Sequence, residues 1–235
     1  MTESLVTYEL DGKTAILRID DGKANAISHE LARQLHDGLT KAEADASAVA
    51  IVGREGRFSA GFDLKTMKSG PDEARDLLRV GAELALRIFT VPAPVVIGAT
   101  GHALAMGAIL LLAADVRIGA EGDYKLGLNE VAIGMPVPEF AIDLARESLS
   151  REHLNRAMNL AHIYDPATAI EAGFLDEIVP LEAVVPTAVQ RAGELGEALR
   201  LGAFKTTREN LRGATAEQFK SSLESDLETF TVEGV

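Results

Sequence analysis

Pro94-Val95-Val96-Ile97-Gly98-Ala99-Thr100-Gly101-His102-Ala103-Leu104-Ala105-Met106-Gly107-Ala108-Ile109-Leu110-Leu111-Leu112-Ala113-Ala114-Asp115-Val116-Arg117-Ile118 is the stretch on which the fold turns. Pro94 to Ile97 has the length and β-branched content of a buried strand, and Ala103 to Ala113 has the length of a buried helix. Val116 to Ile118 starts a second apolar strand. No formal charge occurs between Arg87 and Asp115, a run long enough to cross a bilayer. Pro92, Pro94, Gly98, Gly101 and Gly107 interrupt it, however, so the segment reads as a strand and a helix enclosed by protein.

The pattern continues outward on both sides. Ser4 to Leu10 and Thr14 to Asp20 alternate about Asp11-Gly12, a hairpin signal. Ser28 caps a predicted helix with Leu31, Leu35 and Leu39 on one face. Ala48 to Gly53 follows as a short strand, and then a helix carrying Leu77, Leu78, Leu84, Ile88 and Phe89 stops before Pro92. Downstream, Pro138 to Ala161 is helix-rich, Pro166 to Phe174 is a short helix closed by Gly173, and Glu177 to Val179 is a last strand. Leu181 to Phe230 reads as two or three amphipathic helices, with Leu211, Phe219, Leu223, Leu227 and Phe230 as apolar positions. Strands alternating with helices predict an α/β fold with largely parallel pairing. The change of character near residue 180 divides a core, 1–180, from a helical region, 181–235.

Composition narrows the function. Of 235 residues, 47% are hydrophobic and 25% charged, which excludes a disordered chain. There is no cysteine, so disulfides, a thiolate nucleophile and cysteine-bound metals are excluded. With 23 basic and 36 acidic residues the net charge is −13, which disfavours nucleic-acid and membrane-surface partners. An anionic ligand would need local cations or free N–H donors. Met1 to Leu10 has neither the basic nor the apolar region of a leader peptide, and a cytoplasmic location is the expectation.

Two strand-to-helix elbows carry the candidate chemistry. One is Phe58-Ser59-Ala60-Gly61-Phe62-Asp63-Leu64-Lys65, and the other is Gly101 to Ile109. Small residues let the backbone approach a ligand, and a helix beginning there leaves N–H groups free. Two such elbows face to face would offer two donors to one oxyanion. Each elbow alone is more often a tight turn built for packing, and it is the pair that points to a site.

The pair, with four further segments in the same order, resembles the enoyl-CoA hydratase/isomerase (crotonase) family. Asn25-Ala26-Ile27-Ser28 is similar to its N-A-hydrophobic-S segment, and Phe58 to Lys65 to its F-S-A-G-x-D-hydrophobic-K segment. Pro94 to Gly107 is similar to P-hydrophobic-I-A-x-x-G-x-A-x-G-x-G, and Ala114 to Ile118 to C/A-D-hydrophobic-R-I. Leu126 to Gly134 is similar to F-x-x-P-E-x-x-x-G, and Ala169 to Val179 to A-x-x-x-G-hydrophobic-hydrophobic-x-x-V.

The resemblance implies a spiral of strand-strand-helix turns and a C-terminal helical region serving oligomerisation and active-site cover. It also implies homotrimers or dimers of trimers and an acyl-CoA thioester ligand, with coenzyme A entering as part of the substrate and no separate cofactor or metal. On the same grounds the N–H groups of Phe62 and Met106 form an oxyanion hole for the thioester carbonyl. Ala24, Ala60 and Lys65 would lie along the CoA nucleotide, and Asp63, Leu64 and Ile109 would line the site.

Three departures bear on the reaction. The first of the two water-gripping glutamates of the hydratases maps onto Ile109, which cannot take a proton; the second maps onto Glu130. Ala105 and Met106 replace glycines. Glu139 stands nine residues beyond Glu130, one off the spacing of the second acid in dienoyl-CoA isomerases, and fits equally as a first-turn acid of a helix starting at Pro138. A carboxylate in an apolar cleft should have a raised pKa suited to moving protons between carbons.

His29, His36, His102, His153 and His162 show no metal spacing, and His102 could touch a ligand but reads first as a packed or solvated turn residue. Asp115 and Arg117 read as structural. Arg200, Lys205 and Arg208 read as a solvated stripe, with Lys205 or Lys220 as candidates for the CoA phosphate. Three readings result: double-bond isomerisation by Glu130, hydration or dehydration by Glu130 with Glu139, and acyl-CoA binding without chemistry.

Overall fold

The structure, a computed structural model, describes residues 4–229. Phe230 lies outside them. Two antiparallel strands, β1 (Val6–Asp11) and β2 (Thr14–Ile19), form the expected hairpin. Helix α1 (His29–Asp45) follows, capped by the Ser28 hydroxyl, which accepts from the Leu31 N–H. Three turns of strand, strand and helix come next. The first is β3 (Ala48–Val52), β4 (Gly56–Ser59), α2 (Leu64–Met67) and α3 (Pro71–Thr90). The second is β5 (Val95–Ala99), β6 (Gly101–Leu104) and α4 (Met106–Ala113). The third is β7 (Val116–Ala120), β8 (Leu126–Gly127), a single 3₁₀ turn at Val131–Ile133 and α5 (Glu139–Ser148). Helices α6 (Arg151–Met158) and α7 (Pro166–Ala172), strand β9 (Glu177–Val179), and helices α8 (Leu181–Ala198) and α9 (Leu201–Thr229) complete the chain.

In each turn the first strand joins one sheet and the second joins another. The large sheet has the order β1-β2-β3-β5-β7-β9, and the small one β4-β6-β8. All pairings but the first hairpin are parallel. This is the expected α/β spiral.

The central strands are buried on both faces and sort their side chains with period two. Ala48, Ala50 and Val52 of β3 pack with Ala188 and Ala192 of α8, whereas Val49 and Ile51 join the main core with the leucines of α1. Helix α4 is buried all round. It approaches β4 closely because Gly107 has no side chain: a Cβ there would stand 2.7 Å from the Ser59 carbonyl oxygen.

Three expectations are corrected. The helix expected from residue 103 begins at Met106, because Gly101 to Leu104 pair as β6 between β4 and β8. Arg208 is not on a solvated stripe: it is 6% exposed and donates to the Asp115 carboxylate and, at 3.3 Å, to the Phe89 carbonyl. Arg212 repeats both contacts, at 2.9 and 3.0 Å. Arg200 and Lys205 are exposed as expected. Leu211, 69% exposed, is off the stripe of Ala216, Phe219, Leu223 and Leu227 that α9 buries. That stripe meets α5, where the rings of Phe219 and Phe140 lie 5.0 Å apart. Asp226 of α9 accepts from the N–H groups of Glu139 and Phe140 at 3.0 and 3.2 Å and so caps the start of α5.

Candidate active site

The first elbow is held by a network that leaves one donor over. Asn25, buried with φ +51°, donates from Nδ2 to the carbonyls of Ile19 and Arg57 and accepts from the Asp21 N–H. That fixes the Ala24 carbonyl, which accepts from the Ala60 N–H at 3.0 Å. The Ser59 hydroxyl accepts from the Gly61 N–H, and Gly61 has φ +98°, where a glycine is needed. On either side of Phe62, the Ile27 N–H donates to Gly61 and the Asp63 N–H donates to Ile27, at 2.8 and 3.0 Å. The Phe62 N–H between them has no acceptor among the described residues. Asp63 turns its carboxylate onto α2, accepting from the Thr66 N–H and hydroxyl. The Thr66 hydroxyl bond is the main reason its pKa lies below the usual value.

The second elbow stands against the first. Ala105, at φ +50° and ψ −124°, donates to the Gly127 carbonyl, and Met106 opens α4. The Met106 N–H belongs to the unpaired first turn of that helix. A Cβ on Gly61 would stand 2.7 Å from the Ala105 Cβ and 3.5 Å from the Met106 nitrogen. The two unpaired donors thus lie on adjoining elbows, as an oxyanion hole requires.

Beside them opens a cavity of about 640 Å³, within the range of small-molecule sites. Ala24, Ala60, Phe62, Asp63, Leu64 and Ile109 all line it, and so does Glu130. Met106 is fully buried and outside the lining, whereas its elbow neighbour Ala105 is part of it. Lys65 is exposed and outside the lining, whereas Lys68, one helical turn on, is part of it. Glu139 is exposed at the start of α5 and also outside the lining; its neighbour Pro138 is in it. Lys205 and Lys220 pair with Glu209 and Glu217 on their own helix. His102 is packed: its Nδ1 accepts from the Lys125 N–H, and its ring meets the edge of Tyr124. Sequence reasoning missed Met67, Lys68, Leu78, Asn129 and Met135 as lining residues. For Lys68 the signal was present, since i and i+3 share a helical face.

Glu130 is 7% exposed, and its Oε2 has no partner among the described residues. Burial raises its pKa from 4.5 to about 7, against smaller opposing contributions from the N–H groups of Glu130 and Asn129. Ile109, 2% exposed, adds only hydrocarbon to the cavity. The arrangement therefore combines one buried carboxyl with its pKa raised to about 7 and, on adjoining elbows, two N–H groups without acceptors among the described residues. No cluster of three His, Asp or Glu among the described residues could hold a metal ion, and no helix there is long and apolar enough to cross a membrane.

A family profile described as enoyl-CoA hydratase/isomerase matches residues 11–233. The human mitochondrial enoyl-CoA delta isomerase 1 is 29% identical over 231 residues, 96% of this chain and 76% of the human protein. Among solved structures, an enoyl-CoA hydratase/isomerase family protein from Pseudomonas syringae aligns with a TM-score of 0.94 at 37% identity, covering 97% of this chain and 98% of that one. An enoyl-CoA isomerase from Mycobacterium tuberculosis aligns with a TM-score of 0.91 at 36% identity, covering 96% and 99%.

Proposed function

Because the chain belongs to the enoyl-CoA hydratase/isomerase family, we propose that it moves a carbon–carbon double bond along the acyl chain of an enoyl-CoA thioester, with Glu130 as the only proton carrier. The observation that supports isomerisation over hydration is the pairing of Glu130 with Ile109. A hydratase must orient and deprotonate a water between two acids, and the position of the other acid here, Ile109, adds hydrocarbon to the same cavity. Glu139 stands outside the lining, and the Asp63 carboxylate is engaged in capping α2.

The proposed steps use these groups in turn. A 3-enoyl thioester lies with its carbonyl oxygen toward the N–H groups of Phe62 and Met106. Ionised Glu130 takes a proton from carbon 2, and the electron pair spreads over carbons 2 to 4 and the carbonyl oxygen, where the two donors stabilise it. Glu130 returns the same proton to carbon 4. The bond between carbons 3 and 4 becomes single, and that between 2 and 3 becomes double. A carboxyl titrating at about 7 is suited to both transfers. The apolar lining keeps out the water that would quench the intermediate.

In this reading the Ala24–Ala60 backbone, Lys65 and Lys68 run along the CoA nucleotide, and α9 holds the Pro136–Pro138 wall by capping α5. A trimer, or a pair of trimers, in the cytoplasm completes it; sedimentation checks the assembly.

The deciding experiment compares isomerisation of 3-enoyl-CoA with hydration of 2-enoyl-CoA. Isomerisation should dominate. Glu130→Gln should lower it by about 10²–10⁴-fold, leaving acyl-CoA affinity near wild type. Dominant hydration would overturn the reading, and turnover surviving in Glu130→Gln would move the chemistry to Glu139. Tight binding with no turnover in the wild type would make the protein a binder.

A further inference from the structure

Gly81 lies in the middle of α3, where glycine is a poor helix former and alanine would be favoured. The helix is otherwise rich in alanine and leucine, so local propensity does not explain it. Its surroundings do. A Cβ on Gly81 would overlap Cε1 and Cζ of the Phe62 ring and stand 3.3 Å from Sδ of Met106. The side chains of both residues whose N–H groups form the proposed oxyanion hole therefore converge on this one bare stretch of helix. Leu78, one turn earlier on the same face, lines the cavity, and so does Phe62. The Phe62 ring is thus a partition, backed by α3 at Gly81 and facing the cavity on its other side.

We propose that Gly81 is a specificity-determining residue: by seating the Phe62 ring against α3, it sets how much acyl bulk passes the oxyanion hole. Because the Phe62 N–H sits at the carbonyl, its ring borders the path of the chain just beyond. A methyl group on Gly81 meets the far end of a side chain that can swing, and the ring's free direction is away from α3, into the path. The backbone donors stay where the Ile27 bonds hold them. This inference rests on the acyl-CoA reading above but not on which reaction the site runs.

The test is binding, which needs no turnover. Acetyl-CoA ends at the hole, whereas octanoyl-CoA must pass the ring. In Gly81→Ala the affinity for octanoyl-CoA should fall by about tenfold or more, the scale on which a hydrophobic pocket registers small volume changes. Affinity for acetyl-CoA should stay within about twofold. Phe62→Leu added to Gly81→Ala should restore the wild-type ratio, which a general loss of helix packing would not allow. If Gly81→Ala does not fold, Phe62→Ala alone serves: it should improve binding of phenylacetyl-CoA relative to acetyl-CoA by about tenfold. Equal losses for both esters in Gly81→Ala, or no gain in Phe62→Ala, would overturn the role of the seat while leaving the ligand class standing. Failure of the wild type to bind either ester would overturn the acyl-CoA reading and this inference with it.

Discussion

Replacing Glu130 by glutamine should make the protein more stable at alkaline pH, although it removes the proposed proton carrier. In the unfolded chain this carboxyl titrates near 4.5; in the folded protein burial holds it at about 7. Below pH 4.5 it is neutral in both states and contributes no difference. As pH rises from 4.5 to 7 the unfolded state releases its proton while the folded state keeps it, so stability falls with pH across that interval. Above 7 the full cost is present. At about 1.4 kcal/mol per pH unit, the interval corresponds to about 3 kcal/mol. Glutamine keeps the shape and never ionises. The stability of the variant minus that of the wild type should therefore be near its minimum at pH 4, climb between 4.5 and 7, and level off above, gaining up to about 3 kcal/mol. Urea denaturation at fixed protein concentration across this pH range measures it, and the other carboxylates cancel in the difference. Isomerisation by the wild type should instead follow the folded-state value alone, rising with pH to a half-maximum near 7 and levelling off above it, since the base must be ionised. A difference curve that is flat, or that favours the variant most in acid, would refute the assignment of Glu130 as a buried, unpaired carboxyl.

Two further substitutions test the frame around that group. Ile109→Glu restores a second acid to the cavity and should create or raise hydration of 2-enoyl-CoA, followed by loss of the conjugated-thioester absorbance; a folded variant with unchanged hydration would refute the placement of residue 109. Arg208→Ala removes one of the two guanidinium groups on Asp115 and Phe89, and urea denaturation should register a loss of about 2 kcal/mol, tempered because Arg212 remains; a loss below about 0.5 kcal/mol would mean the buried pair is energetically idle.

Much of this architecture is legible in residue order, because strand-helix alternation and apolar periodicity are local signals. The hairpin at Asp11-Gly12, the Ser28 cap and the closure of α7 at Gly173 each need only a few neighbouring residues, and each is found as read. The errors fall where a distant partner decides. Gly101 to Leu104 looks like the lead into a helix, yet β4 and β8 capture it as a strand. Arg208 looks solvated until Asp115, 93 residues earlier, is placed beside it. At the site, the small-residue elbows and Glu130 could be picked out by type and spacing. The choice of Lys68 over Lys65 could not, since the two share a helical face and the choice depends on where along it the cavity opens. The start of α5 at Glu139 could be read too, but not its cap, because Asp226, which accepts from the Glu139 N–H, is distant in the chain.

That bond from Asp226 has a consequence for the order in which the protein comes into being. The residue that caps α5 follows it in the chain by 87 positions, and the cavity wall at Pro136 to Pro138 leads directly into the capped turn. On the ribosome both elbows, Glu130 and the whole of α5 emerge well before their anchor. Long-range closures of this kind are slow steps in folding. The nascent chain therefore carries every proposed chemical group while one wall of its cavity still lacks its anchor, and a binding site for an acyl thioester should mature only when the final turns of α9 dock.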